Sequence, residues 1–226
     1  MAAALSPAQL QALETQQAQA QAHLILEDAY PEPVASVAGF DVAYDEAGMA
    51  YAALAVLSAE DLVTRQVHLA SAPALIDYIP GLLGYREIPL LVQAYQQLAE
   101  PPDVLLVDGG GTIHPRRMGS ACMAGLELGL ATVGVTKSLL LGEVTGEVHR
   151  CGEHAPVVDH GELVGYATIL ALGATKPIYV SPGHRISHGS ALELVQRCAT
   201  GQHKLPEPLR VAHKAATAAR DAGRDA

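Results

Sequence analysis

Hydrophobic and polar positions divide the chain into segments of two periods. A stretch rich in Ala, Gln and Leu opens at Ser6-Pro7 and runs to about Leu26. Serine suits a helix N-cap and proline the first helical turn, so this stretch predicts a helix, closed by Pro31 and Pro33. Three strand-like runs follow, over residues 34–44, 49–57 and 62–70. The short DEAG turn between the first two predicts a hairpin, so the sheet begins antiparallel. Turn signals at Tyr78-Ile79-Pro80-Gly81 precede a helical run over 85–99, which Pro101-Pro102 breaks. Residues 103–107 (DVLLV) read as a short buried strand, 108–117 as a glycine-rich loop, 118–130 as a helix of small residues and 131–135 as a strand. Residues 142–162 are polar, predicting loops and short strands, while 163–172 and 178–180 are strand-like. Ser187 or Ser190 caps a helix through Cys198, and the chain from Leu209 is helical.

Three strands in a meander, then alternating helix and strand, predict one α/β domain over residues 1–226, built on a mixed sheet flanked by helices. The order βββαβαβ is that of ribonuclease H-like proteins. In such a sheet the first strand lies beside the first strand that follows a helix.

Composition narrows the class. Half of the residues are hydrophobic and 17% are charged, which excludes a disordered chain. The three cysteines, Cys122, Cys151 and Cys198, are too scattered for a disulfide framework or a paired-cysteine zinc site, and they fit a reducing compartment. No apolar run approaches the roughly 18 residues of a membrane span, and residues 1–21 lack the basic start and apolar stretch of a signal peptide. The expectation is a cytoplasmic protein with no membrane partner.

The net charge of −10 argues against a polyanionic partner, but its distribution does not. Residues 1–64 hold nine acids and no Lys or Arg, whereas from 176 onward eight basic residues face four acids. Screening cuts off exposed charges beyond about 10 Å, so a polyanion feels the local face more than the total. On charge alone an ordinary small-molecule enzyme remains the plainer reading.

The acids carry more. Asp41 lies inside an apolar strand, GFDVAY, and Asp108 ends another, VLLVDG. A carboxylate in a buried strand is costly unless a cation or ion pair compensates it. Neighbouring first and fourth strands bring the two together, and Glu87, near the start of the intervening helix, offers a third oxygen ligand. Hard oxygen donors without cysteine point to Mg²⁺ or Mn²⁺. Asp28, Asp45, Glu46 and Glu100 read instead as caps or surface turns. In the loop DGGGTIHPRRMG the glycines permit close backbone approach to a ligand. His114 there is a candidate proton shuttle or phosphate donor, and Arg116 and Arg117 are candidate phosphate contacts. The loop matches neither a Walker loop nor a dinucleotide fingerprint. Tyr78, on a rigid Pro-Gly loop, is either part of a plain turn or a wedge for unstacked bases. Lys137 is either a surface lysine or a cation that stabilises developing negative charge.

These residues recur in motifs that resemble a known family. GFDVAY (39–44), YIPGLLGYRE (78–87), DVLLVDGGGTIHPRRMG (103–119), TVGVTK (132–137), YVSPGHRIS (179–187) and LPEPLRVAH (205–213) are similar, in order and spacing, to endonuclease V, the deoxyinosine 3′ endonucleases. The resemblance spans about residues 10–215. It implies a single catalytic domain that binds Mg²⁺, or Mn²⁺ in its place, through Asp41, Glu87 and Asp108, with His213 beside the metal. It further implies His114 and Lys137 as catalytic-loop positions. Tyr78, Ile79, Pro80 and Gly81 match the family's wedge. The backbone of Gly81, Leu82 and Leu83, with that of Gly109, Gly110 and Gly111, matches its hypoxanthine pocket. Arg185, in YVSPGHRIS, joins Arg116 and Arg117 as an expected phosphate contact.

The implied reaction is metal-dependent cleavage of the second phosphodiester bond 3′ to deoxyinosine in damaged DNA, by a monomer, with inosine-containing RNA as a further partner. Two positions depart from the family's habit. Gly110 stands where His or Gln is common, and Gly189 where an acid is common. Other readings of the same acids are a ribonuclease H-like nuclease without inosine preference, an inactive inosine-binding protein and a small-molecule phosphohydrolase.

Overall fold

The computed structural model describes residues 4–224. A hydrogen-bonded meander is formed by β1 (Ser36–Tyr44), β2 (Met49–Ser58) and β3 (Thr64–Pro73), with β2 in the middle. Helix α1 (Pro7–Ala20) precedes it and α2 (Leu83–Tyr95) follows it. Then come β4 (Val104–Asp108), α3 (Ser120–Leu128), β5 (Ala131–Thr136), β6 (Glu143–Val144), β7 (His154–Asp159), β8 (Glu162–Thr168) and β9 (Ile178–His184). Helices α4 (His188–Arg197) and α5 (Glu207–Arg224) close the chain. All nine strands form one sheet in the order β3-β2-β1-β4-β5-β9-β8-β7-β6. The expected mixed α/β sheet is therefore present, and β1 pairs parallel with β4.

Strand alternation sorts the core into two layers. Val104 and Leu106 of β4 pack with Leu194, Val195 and Leu209, under α4 and α5. Leu105 and Val107 face the other way, onto Ile88, Leu91, Ala121 and Ala124 of α2 and α3. By the same alternation Asp108 shares the α5 face with Leu106, and Asp41 shares it with Val37 and Gly39. The start of α5 lies directly on β1, where a Cβ on Gly39 would come within 2.2 Å of the Pro208 backbone. Two residues along the strand and five along the helix each advance about 7 Å, so this contact sets His213 over Asp41.

Several boundaries differ from the sequence pattern. The first helix stops at Ala20, with one tighter turn over Gln21–His23, and does not reach Leu26. Tertiary bonds override its propensity: the Ile25 amide donates to His184 Nδ1 at 3.2 Å, and its carbonyl accepts from the Arg185 amide at 2.6 Å. β9 runs on through Ser181-Pro182-Gly183, which look like a turn, because β5 pairs with it across a bulge between Thr132 and Val133. Residues 142–162 contain β6 and β7, which extend the sheet beyond the expected order. Ser6 forms the expected N-cap of α1, and Ser187 rather than Ser190 caps α4. Asp28 accepts from the Ser187 amide and Ser190 hydroxyl, and Asp45 from the Met49 amide, so both serve as turn and cap acids. Among the described residues no helix is long and apolar enough to cross a membrane.

Candidate active site

The parallel register pairs Phe40 with Val107. One step further, Asp41 stands beside Asp108 at the carboxyl ends of their strands. Asp41 Oδ2 lies 2.6 Å from His213 Nδ1, and its Oδ1 accepts the Val42 amide at 2.8 Å. One ligand atom from each of Asp41, Asp108 and His213 falls within 4.8 Å of the others. Burial, and then the charge of Asp108, push the Asp41 carboxyl above its usual range, while the His213 hydrogen bond opposes them. Two carboxylates and an imidazole, with no thiolate, form a donor set that suits a hard or borderline divalent cation.

Glu87 approaches from α2 on the opposite side of the sheet. It is buried and accepts the Tyr44 hydroxyl at 3.2 Å. Burial, followed by the charge of Asp41, raises its carboxyl to about 8. It is thus electrostatically coupled to the cluster but does not share the compact group that Asp41, Asp108 and His213 form. Lys137, just past β5, places Nζ 3.0 Å from Asp108 Oδ2.

Residues Ile79 to Leu82 form a type II turn. The Leu82 amide donates to the Ile79 carbonyl at 3.0 Å, Pro80 takes the second place and Gly81 the third, with φ +83°. Tyr78, 64% exposed, projects beside this turn. The Arg86 guanidinium lies 4.4 Å from the Tyr44 ring centroid and 5.9 Å from that of Tyr78. The glycine-rich loop is pressed against its neighbours. The Gly111 amide donates to Ser181 Oγ at 2.9 Å, and a Cβ on Gly111 would meet the Pro182 carbonyl at 2.1 Å. His114, 3% exposed, has partners at both ring nitrogens. Its Nε2 donates to the Gly81 carbonyl at 3.0 Å, and its Nδ1 accepts the Arg116 amide at 3.2 Å. Burial holds this imidazole down to about 4, so it is neutral at neutral pH. His114 therefore ties the glycine-rich loop to the turn at Gly81.

Between the loop and the turn lies a pocket of about 290 Å³, whose walls include Tyr78, Leu83, Gly109, Gly110, Asp108 and Lys137. Leu82 instead points into the core, fully buried. The arginines expected at phosphates are engaged within the chain. Arg116 pairs with Glu14 at 3.0 Å, and Arg117 binds Asp159 at 2.6 Å and Glu162 at 2.9 Å. Arg185 adopts a positive φ of 53°, and its Nε is buried without a hydrogen-bond partner among the described residues. Gly189 faces open space, whereas a Cβ on Gly110 would stand 3.0 Å from the Ile113 carbonyl.

Three contributors escaped the sequence reading: Gln17, Tyr44 and Arg86. Tyr44 was recoverable, since it shares the face of Phe40 and Val42 and so points toward the helix that carries Glu87. Gln17 was not, because it is one glutamine among many in α1.

The model of the endonuclease V family matches residues 18–214. An endonuclease V of Nostoc sp. is 42% identical over 195 residues, covering 86% of this chain and 87% of the relative. The crystal structure of endonuclease V from Streptomyces avermitilis superposes with a TM-score of 0.88 at 31% identity, covering 99% of this chain and all of that one. The Ciona intestinalis endonuclease V, in complex with a 23-mer DNA containing an inosine followed by a ribo-adenosine, superposes with a TM-score of 0.87 at 25% identity, over 96% of this chain and 99% of that chain. With the family model matching most of its length and relatives that share about 42% of its sequence and the same fold, the chain belongs to the endonuclease V family.

Proposed function

We propose that this chain is a metal-dependent endonuclease that recognises hypoxanthine in deoxyinosine and cleaves the second phosphodiester bond 3′ to it, leaving 3′-hydroxyl and 5′-phosphate ends. The observation that carries this reading is that Asp108 belongs both to the three-ligand cluster and to the wall of the pocket. A base held in the pocket thus lies next to the cation site. We read the whole chain, 1–226, as one catalytic unit, a cytoplasmic monomer that acts on damaged DNA. Inosine in RNA presents the same base to the same pocket.

Asp41, Asp108 and His213 would hold Mg²⁺, or Mn²⁺ in its place, with Glu87 behind Asp41. Bound there, a divalent ion supplies an activated water and stabilises charge on the leaving 3′ oxygen. Lys137, beside Asp108, is placed to stabilise negative charge that develops on the phosphate. Extracting the base costs unstacking energy, which is least for a weakly paired base, and Tyr78 is positioned to fill the gap it leaves. Hypoxanthine offers O6 and N1–H where adenine offers an amino group and a bare nitrogen. Leu83 and Gly84 open α2 at the pocket, where backbone N–H groups lack intrahelical acceptors and suit O6. An adenine there would set donor against donor.

The test is cleavage of a labelled duplex carrying one inosine, with Mg²⁺ and with chelator, beside a matched adenine duplex. The expected result is a single product cut at the bond directly 3′ to the inosine's 3′ neighbour, with Mg²⁺ only. Equal cleavage of both duplexes would overturn base recognition, and cleavage unaffected by chelator would overturn the metal site.

A further inference from the structure

Helix α1 docks in an unusual way. Helices in proteins are generally held by an apolar face, but the one buried residue of α1 is Gln17, 2% exposed. Its Nε2 donates to the Gly81 carbonyl and to the Met118 carbonyl, each at 3.1 Å, and its Oε1 accepts Arg116 Nε at 2.7 Å. Glu14, one turn earlier, holds the same arginine at 3.0 Å. Arg116 Nη2 in turn donates to the Gly81 carbonyl at 3.1 Å, where His114 Nε2 also donates. One carbonyl of the wedge turn therefore accepts from three side chains. Tyr85, at the start of α2, adds a bond from its hydroxyl to the Leu13 carbonyl at 3.0 Å.

We infer that Gln17 is a positioning residue that locks the Tyr78–Gly81 wedge turn to the glycine-rich loop, so that α1 sets the efficiency of base extraction. This rests on the inosine-nuclease reading above. Both amide hydrogens of Gln17 are engaged inside the chain, so its effect runs through the Gly81 peptide plane. Rotation of that plane moves Tyr78, three residues earlier, and Leu83, two residues later, which stand on the rim of the pocket. A carbonyl that accepts three donors in a largely buried place resists such rotation, because turning away would strand all three. Residue 17 also lies one position ahead of the stretch matched to the family.

Gln17→Leu keeps the approximate volume and removes all three hydrogen bonds. Inosine cleavage is measured with wild type and variant, on a duplex and on a single strand carrying the same lesion. A single strand has no partner to displace, so it needs the wedge least. The expected result for the variant is a loss of about tenfold or more in kcat/KM on the duplex, mostly in KM, with less than about threefold on the single strand. Fluorescence of 2-aminopurine placed beside the inosine should also rise less on binding the variant. Equal losses on both substrates, or no loss on either, would overturn the inference. Should Gln17→Leu fail to fold, Glu14→Gln takes its place, because it frees one side of Arg116 and leaves the buried amide intact. The same split is then expected, and a uniform loss or none overturns the inference. Failure of the wild type on inosine duplex is a different outcome, which removes the nuclease reading itself.

Discussion

Lys137 meets Asp108 at 3.0 Å, Nζ against Oδ2, at the edge of the pocket. The ammonium occupies one oxygen of a carboxylate that also belongs to the candidate cation site. A cation bound there would compete with this lysine for the same charge, while the proposed reaction uses both. Lys137→Met is expected to tighten Mn²⁺ binding, measured by calorimetry, and yet to slow inosine cleavage about a hundredfold, the usual cost of losing one charge-stabilising donor. Unchanged cleavage would leave Lys137 a surface residue.

Asp108 and Asp41 form the centre of the cluster, and removing either leaves a cation with half of its carboxylate charge. Asp108→Ala is expected to lose at least ~4 kcal/mol of transition-state stabilisation, about a thousandfold in rate, while retaining the fold, since Asp108 ends its strand. Near-wild-type cleavage by this variant, at saturating Mg²⁺, would rule out the aspartate pair as the metal site.

Glu87 gives the metal-free protein a distinctive pH response. Burial raises its folded-state carboxyl from 4.5 to about 8. Between these values the folded state keeps a proton that the unfolded state has released, so stability falls as pH rises. The metal-free protein should thus show a melting temperature that declines from about pH 5 to about pH 8. Glu87→Gln should remove most of that slope, because its amide does not titrate. A slope that is unchanged in Glu87→Gln would assign it to other groups.

The fold and the two aspartates were legible because they obey local rules. Strand alternation put Asp41 and Asp108 in apolar runs, and the order of elements made those runs neighbours. His213 was reached only through the motif resemblance, since nothing in the pattern RVAH says that α5 crosses β1 at Gly39. The intrachain partners of Arg116 and Arg117 were not legible. The sequence position of these arginines beside the glycine-rich loop is suggestive, but their partners Glu14, Asp159 and Glu162 come from 42 to 102 residues away. Gln17 was invisible because its role depends on three tertiary partners and on no property of helix α1 itself.

Tyr78 is the exposed aromatic at the turn, and Arg86 stands between it and Tyr44. Tyr78→Ala should weaken binding to an inosine duplex more than to an inosine single strand, by gel shift at fixed salt. Equal loss on both would make Tyr78 a packing residue. Wild-type affinity should fall steeply with salt, by roughly 0.9 log unit per log unit of salt for each phosphate neutralised. A flat response would show that the acidic net charge outweighs any basic face.

The glycine-rich loop separates two adjacent residues by what surrounds them. A Cβ at Gly111 would stand 2.1 Å from the Pro182 carbonyl and 2.8 Å from that of Ser181, both backbone atoms of β9 that cannot give way. A Cβ at Gly110 would stand 3.0 Å from a single backbone atom, the Ile113 carbonyl, in a loop that can shift by a few tenths of an ångström. Gly111→Ala is therefore expected to force the loop off β9, lowering the melting temperature sharply and abolishing cleavage. Gly110→Ala is expected to cost about 1 kcal/mol and to keep most activity. The two substitutions, made separately and compared by thermal unfolding and by inosine cleavage, distinguish close backbone packing from a general need for glycine. If both behave alike, the approach of the loop to β9 is not what holds the pocket wall in place.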